Sequence, residues 1–79
     1  MAYFSYHNKI KNLLKQGKLK LYYFDQNYKN IGFCMVLDFN DKHYPIREDK
    51  FDIYFELIGK YYTTKKVDEF YQTTFINDS

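Results

Sequence analysis

A small two-layer α+β domain is the fold class this sequence predicts. Its elements would run α-β-β-β-α, with a three-stranded antiparallel sheet, both helices on one face, and a short C-terminal helix after them. Three observations lead there. Two segments space their apolar residues at the 3.6-residue period of a helix. The stretch between them alternates, or runs apolar, over strand lengths, and the joins are rich in Asn, Asp, Gly and Lys. Two helices over three strands is an economical way to bury two helical stripes against one sheet face.

The first helix is expected over about residues 6–16. Tyr6, Ile10, Leu13 and Leu14 fall on one face, with Asn8, Lys11, Asn12 and Lys15 opposite. Ser5 offers an N-cap oxygen to an unpaired backbone N–H, and Gly17 a left-handed stop. Residues 19–24 then alternate Leu19, Leu21 and Tyr23 against Lys20, Tyr22 and Phe24, the pattern of a half-buried strand. With the first set turned to the helices, Tyr22 and Phe24 face outward. Residues 25–30 form a polar turn. Residues 31–39 are apolar on both faces, Phe33, Met35, Leu37 and Phe39 on one, Cys34 and Val36 on the other. This is the expected central strand, and it adds Cys34 and Val36 to an outward patch. Asn40-Asp41 makes the next turn. Residues 43–47 are a short third strand, placed at the sheet edge because Pro45 has no N–H for a ladder.

Asp49 is positioned to cap the second helix, with Asp52 three residues on. Phe51, Tyr54, Phe55, Ile58, Tyr61 and Tyr62 form its stripe. Gly59 weakens it by up to about 1 kcal/mol relative to Ala, and Thr63-Thr64 ends it. Val67, Phe70 and Tyr71 share one face of the short third helix, over residues 65–72. Phe75 and Ile76 tack the tail down, and residues 77–79 fray. The core is read as Phe33, Met35, Leu37, Phe51, Tyr54, Phe55 and Ile58.

Ten Tyr and eight Phe make 23% of the 79 residues aromatic. Each ring offers roughly 150–250 Å² for burial, and a small domain buries only about 60% of its unfolded surface. Some rings must therefore line a surface, which points to contact with a partner. The same excess accompanies eleven Lys against one Arg, with one Ala, one Pro and no Trp. That is the residue usage an AT-rich phage, plasmid or bacterial genome imposes on its proteins.

Residues 1–79 read as a single domain. Cys34 is the sole cysteine, so no internal disulfide forms, and that scarcity fits a reducing, cytoplasmic setting. The longest apolar run, residues 31–37, is far below the roughly 20 residues that span a bilayer. The N-terminus lacks the basic and apolar regions of a signal peptide, and no membrane association is expected. Charge is uneven: residues 1–24 carry +5 and residues 25–79 carry −3, within a net charge of +2.

The α-β-β-β-α order resembles that of double-stranded-RNA-binding domains, which place lysines at the start of the second helix. Here that position reads Glu48-Asp49-Lys50-Phe51-Asp52, an acidic segment that repels phosphate. Asp38 with Glu48 and Lys50 resembles the metal-binding D-x9-E-x-K spacing of restriction-type nucleases. Such a match arises readily by chance among ten acids, and acids also favour a helix start for structural reasons. His7 and His43 lack partners at zinc-site spacing, and Cys34, flanked by Phe33 and Met35, is expected to pack. Neither an enzyme nor a cofactor or metal site is expected.

The reading these features favour is a non-catalytic interaction protein. In its most specific form it is a small phage or mobile-element accessory protein that binds and inhibits a host macromolecule, of anti-CRISPR or another anti-defence type, through a Tyr-rich surface. At +2 it would act by occlusion or allostery and not by mimicking nucleic acid. A protein is the expected partner. The candidate binding residues are Tyr22, Phe24 and Tyr44 as surplus rings, Arg47 as the one guanidinium, and Lys11, Lys15, Lys18 and Lys20 as a basic stripe. One alternative is a small nucleic-acid-binding protein using those lysines and rings. The other is a homodimer formed through the exposed sheet face.

Overall fold

The structure, a computed structural model, describes residues 2–76. Helix α1 (Ala2–Lys15) leads into strands β1 (Leu21–Asp25), β2 (Cys34–Phe39) and β3 (Lys42–Arg47). Helix α2 (Phe51–Tyr61) and strands β4 (Tyr62–Val67) and β5 (Phe70–Phe75) follow. The five strands make one antiparallel sheet in the spatial order β3-β2-β1-β5-β4. The class is mixed α+β. The three-stranded sheet in α-β-β-β-α order, and the third helix, are overturned by β4 and β5.

The reason lies in residues 62–75. Both strands are rich in Thr, Tyr, Phe and Val, which suit extended backbone. Val67, Phe70 and Tyr71 fit a helical stripe in spacing alone. Asp68, at φ 58°, instead turns the chain, and Val67 pairs with Phe70 across a two-residue turn. Tyr62 belongs to the expected helix by period but is already extended, at φ −135° and ψ 151°. The hairpin docks β5 on β1, so β1 and not β2 is the middle strand.

Other boundaries shift as well. α1 begins at Ala2, which puts Ser5 inside the helix and not at its cap. Gly17, at φ 78°, is the left-handed stop. Asp49 does not cap α2: residues Glu48–Lys50 form a short 3-10 turn, and Lys50 stands at the N-cap with no side-chain bond. Asn40 and Asp41 close the β2–β3 hairpin with φ 51° and 69°, the doubly left-handed turn whose twist matches the strands. β3 is an outer strand. The expected fraying of residues 77–79 lies outside the described residues.

Both helices pack on one sheet face. Ile10 and Leu14 of α1, Leu19 ahead of β1, Tyr54 and Ile58 of α2, and Tyr22, Met35, Leu37, Phe39, Ile46 and Tyr62 of the sheet form the buried cluster. Phe33 and Phe55, expected in it, are 42% and 40% exposed at its margin. Phe24 stacks on Phe33, with centroids 5.8 Å apart and planes within 5°, and meets Phe51 and Phe55 edge-on or tilted. Tyr22 stacks on Tyr71 at 4.9 Å, so β5 completes a core that three strands would leave open.

Candidate functional site

The β2–β3 ladder determines what the β3 edge can offer. Lys20 donates to the Asp38 carbonyl (3.0 Å), so alternate β2 residues from Asp38 bond toward β1 and those from Phe39 toward β3. Lys42, Tyr44 and Ile46 therefore spend their backbone groups on β2. His43, Pro45 and Arg47 turn theirs to the free edge. Pro45 has no N–H, and its carbonyl accepts a hydrogen bond from the Tyr6 hydroxyl (2.8 Å).

The β1–β2 loop runs beside this edge. Asp25 Oδ1 accepts the Asn27 N–H (2.8 Å) at its start. Residues Tyr28–Asn30 make one 3-10 turn in which Lys29 (φ 48°) and Asn30 (φ 62°) are left-handed. Gly32 follows at φ 87° with open space where a Cβ would sit, so its backbone conformation, not crowding, favours glycine.

Between loop, edge and α1 lies an open groove of about 760 Å³. Tyr6, Tyr28 and Tyr44 supply its rings. Lys29, Arg47 and Lys50 supply cations, His7 and His43 imidazoles, and Asp49 a carboxylate. Tyr6 is pushed well above the ordinary tyrosine range by burial first, then by Tyr54, Tyr28 and Tyr44, so it stays a hydroxyl anchored on Pro45. Lys9 lies over the Tyr44 ring, 5.8 Å from its centroid, and adds a further cation beside the groove.

His7 closes one end. Its Nδ1 is 2.7 Å from the Tyr54 hydroxyl. Burial first, then the charges of Lys50 and Lys11, hold its pKa below the usual histidine value. Burial pushes Tyr54 up to about 12. At neutral pH the pair is a neutral imidazole and a neutral phenol, and it ties α1 to α2. The groove as a whole presents positive charge between flat, half-apolar rings, which suits an acidic or phosphate-bearing partner with planar or apolar groups alongside.

The sequence-derived candidates scatter. Tyr22 is buried and Phe24 half-buried, both on the helix side, so the outward patch of Tyr22, Phe24, Cys34 and Val36 is overturned. An alternation anchored on Leu19, which is buried but precedes β1, inverts these faces. The register places Tyr22 opposite Leu37 and Phe24 opposite Met35, on the core face. Cys34 and Val36 do lie on the other face, yet both are 0% exposed. Their neighbours across the ladders are Asp25 and Arg47, and Tyr23 and Pro45.

Tyr44 and Arg47 come together in the groove. Lys11, Lys15, Lys18 and Lys20 do not line it; Lys15, Lys18 and Lys20 are exposed and Lys11 half-buried. Tyr6, Tyr28, Lys29 and Lys50 were missed as groove residues. The available signal was Pro45, which marks the edge and hence the residues beside it. Asp38 and Glu48 line two different depressions. Among the described residues no group of three His, Cys, Asp or Glu side chains could hold a metal, and no helix is long and apolar enough to cross a membrane. Compared with known proteins, the chain matches no family model, no curated protein and no solved structure.

Proposed function

We propose that the chain is a non-catalytic interaction protein that docks an acidic surface of a partner protein in the groove along β3. The observation that carries this reading is the convergence of Tyr28, Tyr44, Arg47, Lys29 and Lys50 on one open groove. Tyr and Arg are the residues that dominate interface energetics. The cations steer an acidic partner while the rings supply the buried area. In its finest form the reading is a cytoplasmic phage or mobile-element protein that blocks a host defence complex, and the support for that form is compositional. The test is capture from host lysate with the unaltered chain and with Tyr28→Ala/Arg47→Glu. The variant is expected to keep its thermal transition and to lose about tenfold in affinity for the captured protein, near 1.4 kcal/mol. Equal recovery by both would sink the groove as the docking site.

One observation favours a second reading. Rings interleaved with cations are also what single-stranded nucleic acid binds, by base stacking and phosphate contact. Under it, a mixed-sequence oligonucleotide shifts in a gel at low salt, and affinity falls steeply as salt rises. Protein docking predicts no shift.

A further inference from the structure

The two edges of the sheet are not alike. At β3 the edge is interrupted by Pro45, and Tyr6 occupies that residue's carbonyl. At β4 it is open. Thr73 of β5 gives its N–H to Lys20 (3.0 Å) and not to β4. Phe70, Gln72 and Thr74 therefore ladder with Val67, Lys65 and Thr63. Tyr62, Thr64 and Lys66 turn their backbone groups outward, and Tyr62 spends its N–H on the Ile58 carbonyl at the end of α2. Thr64 and Lys66 remain as two complete donor and acceptor positions. β4 holds no proline, keeps unbroken register with β5, and is exposed from Thr63 to Val67. Such an edge is a template for one more strand.

Side-chain charge decides which strand. β4 carries Lys65 and Lys66 and no acid. Successive residues point to opposite faces, so one ammonium stands on each side of the sheet. In the register that pairs β4 with a second copy along its length, four ammonium groups come together while Asp68 and Glu69 stay in the turn beyond the strand, and like charges across strands are destabilising. We propose that β4 accepts an extended segment of a partner protein as a sixth strand, with two consecutive acidic residues set against Lys65 and Lys66. Thr64 and Lys66 supply the main-chain bonds, and the two lysines set register and choice. On the helix side the Lys66 ammonium lies 5.9 Å from the Tyr71 ring centroid, which gives the bound acid an aromatic shelf beneath it. This edge is at the opposite end of the sheet from the groove, so the proposal stands or falls apart from the groove's function.

Hydrogen exchange by NMR on the full chain tests it, with a capped peptide Thr-Val-Thr-Glu-Glu-Val-Thr-Val as the probe. At saturating peptide the Thr64 and Lys66 amides are expected to slow about tenfold or more, while the Lys-Lys counterpart leaves them unchanged. Lys65→Glu/Lys66→Glu should reverse that preference. Thr64→Pro removes an outward N–H without touching the β5 ladder and should abolish binding; should that variant unfold, the charge reversal carries the test. Unchanged exchange with the Glu-Glu peptide overturns the proposal, as does equal slowing by both peptides. Slowing without peptide, together with a mass that doubles with concentration, also overturns it and assigns the edge to a second copy.

Discussion

Tyr62 joins segments from three parts of the chain through one hydroxyl. That oxygen donates to the Leu14 carbonyl (2.8 Å) and accepts the Leu19 N–H (3.1 Å), all of it buried. Burial raises its pKa, which keeps the donor in place. Tyr62→Phe keeps the ring but strands the Leu19 N–H, and is expected to cost about 1–3 kcal/mol in urea unfolding. His7 supplies a pH dependence whose sign follows from its lowered pKa. Below about pH 6.5 the unfolded chain takes a proton that the folded one resists, so stability is full above that pH and falls as pH drops through it. Thermal midpoints between pH 7.5 and 5.5 should decline, and His7→Gln should flatten the decline. Neither role was legible beforehand. By spacing alone Tyr62 ends a helical stripe and His7 is a histidine without zinc-site partners, because each acts through a partner more than forty positions away in the chain.

Among the elements, the β2–β3 hairpin was the most legible, since Asn40-Asp41 and Pro45 each restrict the backbone locally. Asn40 tolerates its φ of 51° better than a residue with no local hydrogen-bonding side chain, so Asn40→Ala should lower stability by about 1 kcal/mol. Asp41→Gly, which completes the turn's preferred pair, should be neutral or stabilising in the same thermal assay. The β4–β5 hairpin was the least legible. Its period admits helix and strand alike over residues 65–72, and Asp68 carries the turn in a left-handed conformation that glycine would have advertised. β1 differs: its strand pattern is evident in the sequence, but an alternation that starts at Leu19 inverts its faces, as a one-residue offset always does.

For the molecule as a whole, the last hairpin closes one side of the core. Tyr71 stacks on Tyr22, and Phe75 meets the Tyr62 ring edge-on at 5.5 Å. Phe75 also lies where a Cβ on Gly17 would sit, 2.6 Å from its nearest ring atom. A chain ending at Tyr61 would contain both helices and the three strands first expected, yet it should fail to fold cooperatively, as circular dichroism on heating would register. An independently folding truncation would mean that β4 and β5 are an appendage. Residue chemistry alone determined the two helical stripes, the hairpin turn, the edge position of Pro45 and an aromatic count too large for a small core. Those follow from local backbone preference and short-range periodicity, which any ten-residue window carries. Tertiary structure alone decided which rings are buried, that β1 is the middle strand, and that Tyr28, Tyr44, Arg47 and Lys50 share one groove. Such facts depend on strand order and register, interactions between residues distant in the chain, and no local period encodes them.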